Sequence, residues 1–220
     1  FMAQAQNDIE RERPDKIVFI DNPGFNLPLA KFAHNLGIEV HWYIAPKAWA
    51  WNTRRIKTMK RVIDHLYVIF PFEVAFFEKY GMPSIYVGNP TLQSVRDYRE
   101  SKPALQSSEK TIALLPGSRP AEVSNLLPSF IKAIQLKEGS NVNVVVAGAP
   151  SLSREFYENV LQKSQLSADV VFNETFKLLH TAAQTGGYAL VASGTATLET
   201  ALFGCPQLVA YKVSPLMYFL

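Results

Sequence analysis

Asp21 is the side chain best placed by its neighbours to take a proton. It directly follows a short apolar run, Lys16–Ile20, and stands beside Asn22-Pro23, so it falls just past a strand end. A carboxylate there suits general-base work on a hydroxyl, and it equally suits capping the next helix. Ser193-Gly194-Thr195-Ala196-Thr197-Leu198-Glu199 passes from a β-rich run into a helical pattern. Gly194 lets a ligand come close to the backbone, and the free N–H groups of a first helical turn favour a phosphate. Thr195 and Glu199 share a helix face, which would let the carboxylate accept both hydroxyls of a ribose. The same pattern also describes a hydroxyl N-cap followed by a solvent-facing glutamate. Gly117-Ser118-Arg119 is a small turn ending in a guanidinium that matches paired phosphate oxygens; plain solvation of an arginine at a helix start is the alternative.

Other chemistries find little support. His34, His41, His65 and His180 lack metal-ligand spacing, so packing or surface roles are expected and no metal is assigned. Cys205 is the single cysteine, which allows no internal disulfide and fits a reducing compartment. There is no Gly-x-Gly-x-x-Gly and no P-loop, which weakens NAD and ATP readings. A net charge of +3 over 220 residues is too small to imply nucleic acid. The uncharged run 178–198 is broken by Gly186, Gly187 and Gly194 and falls short of a membrane span. No secretory layout is seen near Phe1.

The elements that must position these groups alternate between strand and helix. Lys16–Ile20, Ile38–Ile44, Leu66–Phe70 and Ser84–Val87 read as strands, with helices over Leu27–Leu36, Thr53–Ile63 (capped by Asn52) and Pro71–Tyr80. The rhythm resumes with strands at Thr111–Leu115, Asn143–Ala147, Val170–Phe172, Tyr188–Ala192 and Leu208–Tyr211, and with helices opening near Pro120 and Leu152. Such alternation predicts an α/β fold of parallel sheets with helices on both faces. Between Gly88 and Lys110 the chain is polar and lacks a long apolar run, which predicts two units, 1–92 and 111–220, joined by a linker over 93–110. Ligands of open parallel sheets bind beyond the carboxyl ends of the strands. Asp21, Pro46, Asn89, Ser118 and Ser193 all fall at such ends, which predicts a cleft between two domains.

One segment stands apart. Trp42, Tyr43, Trp49 and Trp51 precede Arg54, Arg55, Lys57, Lys60 and Arg61, with no acid from Ala45 to Arg61. Aromatic anchors beside a basic helix suit an anionic membrane surface; core tryptophans and a solvated basic face are the alternative.

Taken together these segments resemble lipid-A-disaccharide synthases. Ile20-Asp21-Asn22-Pro23-Gly24-Phe25-Asn26 is similar to that family's Ile-Asp-x-Pro-x-Phe-Asn, and Pro46-Lys47-Ala48-Trp49-Ala50-Trp51 to its Pro-x-x-Trp-Ala-Trp. Pro71-Phe72-Glu73, Val87-Gly88-Asn89-Pro90, Leu114-Leu115-Pro116-Gly117-Ser118-Arg119 with Glu122, and Ala192–Glu199 with Tyr211-Lys212 follow in the family's order. Asn89 stands where the family usually has histidine. Gly24 stands where aspartate is common, which leaves Asp21 the only acid of its motif. The resemblance implies a GT-B architecture, two Rossmann-like domains facing a cleft, in a protein with further segments at both ends.

It also implies an inverting transfer of 2,3-diacylglucosamine from UDP to 2,3-diacylglucosamine 1-phosphate. On that basis Asp21 and Arg119 are the catalytic candidates. Asn26, Asn89, Ser118, Ser193, Gly194, Thr195 and Glu199 are substrate-binding candidates, and Trp49, Trp51, Arg54, Arg55 and Lys57 lipid contacts. The UDP-sugar is a substrate and no cofactor is implied. A cytoplasmic protein peripheral on the inner membrane is expected, with a homodimer left open. Two rival readings remain at this point, another UDP-N-acetylglucosamine enzyme of the same fold (a glycosyltransferase or an epimerase) and a non-catalytic nucleotide- or membrane-binding module.

Overall fold

The computed structural model describes residues 1–101, 109–139, 142–162 and 167–212, the side chain of Trp51 excepted. The chain divides into two compact units, Phe1–Pro90 and Thr91–Leu220.

The first unit begins with α1 (Met2–Glu12) and continues β1 (Lys16–Ile20), α2 (Pro23–Asn35), β2 (Glu39–Tyr43), α3 (Ala48–Trp51), α4 (Arg55–Val62), β3 (His65–Val68), α5 (Pro71–Lys79) and β4 (Ile85–Tyr86). Proline opens α2 and α5, where its missing N–H costs nothing. All pairings are parallel and the strand order is β1-β2-β3-β4. Right-handed crossovers that step always in one direction place every helix on one face. The burial pattern agrees, since Phe19, Val40, Trp42, Leu66 and Val68 are buried against the helices, whereas Val18 and Ile20 on the opposite face are more than half exposed. Sequence alternation predicts covering on both faces; among the described residues this sheet is covered on one.

The second unit comprises α6 (Pro90–Ser101), β5 (Thr111–Leu115), α7 (Pro120–Glu138), β6 (Asn143–Gly148), α8 (Arg154–Leu161), β7 (Asp169–Phe172), α9 (Thr175–Gln184), β8 (Tyr188–Ala192), α10 (Thr195–Leu202) and β9 (Gln207–Ala210). Its parallel sheet runs β7-β6-β5-β8-β9, so the stepping direction reverses at β5. The helices therefore split between the faces. Leu127, Ile131 and Tyr157 of α7 and α8 pack on Ile112 and Leu114, whereas Leu179 and Ala182 of α9 pack on Ala113 and Leu115. All five residues of β5 are buried, as expected of a central parallel strand.

Two elements differ from the sequence reading. Residues 93–101, read there as linker, belong to α6, which packs on the second unit through buried Val95 and through Tyr98, itself edge-on to Phe176 and Phe203. Spacing of Val95 and Tyr98 places both on one helix face; the charges between them masked the pattern. Residues 102–108 of that linker lie outside the described residues. Helix α4 starts at Arg55 rather than Thr53, and Asn52 contributes its backbone carbonyl to Arg55 N–H instead of a side-chain cap.

Candidate functional site

Where the strand order of a parallel sheet reverses, the loops leaving adjacent strands diverge to opposite faces and open a crevice. In the second unit that point lies between β5 and β8. A cavity of about 510 Å³ occupies it, lined among others by Gly117, Ser118, Arg119, Gly148, Ser193, Gly194, Thr195 and Glu199. That volume is in the range of small-molecule sites. The sequence reading placed Ser118, Arg119, Ser193, Gly194, Thr195 and Glu199 at such a site, and the structure brings all six to one cavity.

The loop after β5 is held by Glu122. Its carboxylate accepts from the N–H of Ser118 (3.1 Å) and Arg119 (3.4 Å) through Oε2, and Arg119 Nη1 meets Oε1 at 3.0 Å. This capping box turns the chain into α7. Gly117 has φ +107°, and a Cβ there would lie 2.5 Å from Glu122 Oε2, so only glycine fits the turn. Arg119 is 81% exposed and its pairing is a surface one, cheaply exchanged for a phosphate.

The loop after β8 is more open. Gly194 has no atom within 4 Å of where a Cβ would stand, so its backbone is accessible from the cavity. Thr197 Oγ1 donates to Gly194 O at 2.6 Å, and Gln207 Nε2 donates to Thr197 O at 2.9 Å, fixing the first turn of α10. Thr195 is exposed and Glu199 half-buried. Burial raises the Glu199 carboxyl above the usual glutamate range. A second cavity, about 610 Å³, shares Thr175 and Glu199 with the first and adds Tyr98, Asn173 and Phe176. The buried Tyr157 hydroxyl accepts at 2.8 Å from the N–H of Ala149, a residue lining the first cavity, and holds the loop after β6. Sequence reasoning missed Tyr157 because its partner is a backbone group.

In the first unit the flagged residues again follow strand ends. Asp21 and Asn22 adopt left-handed backbone (φ 46° and 41°), a conformation that aspartate and asparagine tolerate better than most residues. Asp21 N–H donates to Tyr43 O at 3.0 Å. Asn26, flagged as a substrate contact, donates through Nδ2 to the carbonyls of Ile20 (3.0 Å) and Asp21 (2.9 Å), so its amide pins the bend that presents the exposed Asp21. Asn89 is half-buried just after β4.

A family model for lipid-A-disaccharide synthetase matches residues 2–220. The chain belongs to the lipid-A-disaccharide synthase family. Curated lipid-A-disaccharide synthases of Trichlorobacter lovleyi and Geobacter sulfurreducens are 38% and 37% identical over 212 residues, covering 93% of this chain and 54% of each relative. The Syntrophus aciditrophicus synthase is 36% identical over 227 residues, 100% of this chain and 58% of that protein. The chain thus spans little more than half the length of the curated relatives it matches. Among solved structures, UDP-GlcNAc 2-epimerase from Neisseria meningitidis bound to UDP-GlcNAc aligns over 97% of this chain and 64% of its own with TM-score 0.67 at 13% identity. An S. aureus MnaA–UDP co-structure aligns with TM-score 0.65 at 15% identity. The fold is of the GT-B type, two Rossmann-like α/β units.

Two further segments that resemble the synthase family acquire structural roles. Glu73 of the Pro-Phe-Glu motif is 1% exposed. Its Oε2 accepts from the N–H of Ile69 and Phe70, and its Oε1 accepts from Trp49 Nε1 at 3.0 Å. One buried carboxylate thus caps α5 and clasps the Trp-Ala-Trp segment. Trp49 meets Phe72 edge-on at 5.1 Å, and Phe72 stacks on Phe70 at 5.7 Å. Trp49 and Phe72 remain 38% and 51% exposed, leaving an aromatic patch beside exposed Lys47. Farther along, Arg54 and Lys57 of the basic segment are exposed and Arg55 is half-buried. No helix among the described residues is long and apolar enough to cross a membrane.

Proposed function

We propose that the protein is an inverting glycosyltransferase that moves 2,3-diacylglucosamine from UDP to 2,3-diacylglucosamine 1-phosphate, forming the β-1,6 lipid A disaccharide and UDP. The cavity at the β5–β8 reversal carries this reading, because it combines an open helix start, a guanidinium and a half-buried carboxylate in a chain of the synthase family. The N–H groups at the start of α10 and the Arg119 guanidinium take the charge that develops on the departing diphosphate. Glu199 accepts the ribose hydroxyls, and Tyr98, Asn173 and Phe176 in the adjoining cavity border the nucleoside. Asp21 removes the proton from the attacking 6-hydroxyl. Trp49, Phe72 and the basic residues Arg54, Arg55 and Lys57 hold the protein to the anionic membrane that contains both lipid substrates, on the cytoplasmic side; Trp51, also expected there, has its side chain outside the described residues.

The test is UDP release from UDP-2,3-diacylglucosamine, with and without the acceptor, together with UDP binding by calorimetry. Acceptor-dependent release, abolished in Asp21→Asn with UDP binding intact, is expected. Release that needs no acceptor would replace this reading with an epimerase-like one. Full turnover in Asp21→Asn would remove Asp21 as the base.

A further inference from the structure

Glu39, His41 and His65 converge on the open face of the first sheet. Parallel register sets His41 of β2 opposite His65 of β3, and Glu39, two residues before His41, emerges on the same face by the period of a strand. The two imidazoles stack with centroids 4.5 Å apart. Both Nε2 atoms approach one oxygen, Glu39 Oε1, at 2.9 Å from His41 and 3.0 Å from His65. The three ligand atoms lie within 4.8 Å of one another. We propose that Glu39, His41 and His65 form a binding site for one divalent transition-metal ion of the zinc type.

The donor set and spacing support it. Two imidazole nitrogens and one carboxylate oxygen are a common zinc set, and a tetrahedral ion holds neighbouring ligand atoms about 3.3 Å apart. The observed separations from Oε1 are within a few tenths of an ångström of that value. An outer partner is also in place, since His41 Nδ1 lies 3.0 Å from the Tyr67 hydroxyl. With that bond orienting the ring, Nε2 is the atom offered to an ion. Lys16 Nζ sits 3.1 Å from Glu39 Oε2 and 3.3 Å from Oε1. The positive charge of Lys16 weakens the site relative to an all-acid cage. His65 is half-exposed, so solvent can supply the fourth ligand. An ion there would tie β2 to β3 on the face that carries no helix among the described residues.

The site lies in the first unit, outside the nucleotide cavity, so metal binding can be read without turnover. The full chain, stripped with a chelator, is titrated with Zn²⁺ against a chromophoric chelator, and with Co²⁺ as a spectroscopic probe. One equivalent should bind, and Co²⁺ should give the strong visible band of a tetrahedral site. Affinity should fall at least tenfold in Glu39→Gln and in His65→Gln, about tenfold in Tyr67→Phe, and stay unchanged in His34→Gln, whose ring is exposed on α2. Circular dichroism of each metal-free variant checks that it is folded. Absence of saturable binding, or a folded His41→Gln/His65→Gln double variant that binds as the parent does, would overturn the proposal.

Discussion

Replacing Gly117 by alanine separates the architecture of the loop after β5 from its proposed chemistry. The residue sits at φ +107°, and its added Cβ would lie 2.5 Å from Glu122 Oε2 and 2.8 Å from Glu122 Cβ. The backbone conformation alone costs a Cβ-bearing residue about 1–3 kcal/mol. Relief of the clash requires Glu122 to withdraw from Ser118 and Arg119 N–H, and losing such a helix cap costs about 0.5–2 kcal/mol. The two together give roughly 2–4 kcal/mol, allowing for partial relaxation at each. Urea unfolding should show the loss as a lower midpoint at unchanged slope. Because the same loop presents Arg119, UDP affinity should fall in parallel. Gly194→Ala is the matched comparison, since nothing lies within 4 Å of its Cβ position and its backbone is extended. That variant should keep its stability within about 0.5 kcal/mol yet lose UDP affinity, because the methyl group takes the space through which a diphosphate reaches the helix start. A Gly117→Ala protein with unchanged midpoint and unchanged UDP affinity would refute the reasoning, and so would a Gly194→Ala protein that binds UDP normally.

In the proposed role a carboxylate accepts ribose hydroxyls best when ionised, and the Glu199 carboxyl is raised by burial; affinity for a UDP-sugar should therefore rise with pH through a value above the ordinary glutamate range, and Glu199→Gln should flatten that limb. In the free protein a raised carboxyl favours the folded state at low pH and loses that contribution as pH rises from the unfolded to the folded pKa, so Glu199→Gln should be no less stable than the parent at neutral pH. Glu73→Ala strips three donors of their acceptor, one of them Trp49 Nε1, and should cost about 1–3 kcal/mol in urea unfolding. Binding to anionic liposomes should weaken about tenfold or more in Arg54→Ala/Lys57→Ala, at about 1 kcal/mol per basic residue near the surface, and Trp49→Ala should weaken binding to neutral and anionic vesicles alike.

Much of the second unit's site was legible because its signals are local. Ser193–Glu199 and Gly117–Arg119 each announce a strand end, a turn and a helix start within a few residues, and the structure brings them to one cavity. What could not be read was which neighbours the capping groups would find. Asn26 is flagged by the sequence as a substrate contact, and nothing in the chain announces that its Nδ2 also donates to the Ile20 and Asp21 carbonyls. Glu73 looked like one letter of a motif, but it joins two segments 24 positions apart. His41 and His65 carry no recognisable spacing in the chain, because the distance between residues facing each other on adjacent parallel strands is set by the length of the crossover.

The two units also show why an alternating strand–helix rhythm does not by itself locate a ligand. Both halves have the same local grammar, and each strand in both is parallel to its neighbours. The difference lies in the direction of the crossovers. In the first unit every step goes the same way, so the helices share a face and adjacent strand-end loops do not part among the described strands. In the second, the step from β7 back past β5 to β8 reverses the order and sends the loops after β5 and β8 to opposite sides. Handedness then dictates both the covering of the sheet and the opening of the crevice. The cavity follows from that single reversal, and Ser118, Arg119, Ser193, Thr195 and Glu199 among its lining residues are of types that suit a diphosphate and a ribose. In the first unit the same handedness leaves one face of the sheet without helices among the described residues, and that is the face on which Glu39, His41 and His65 meet.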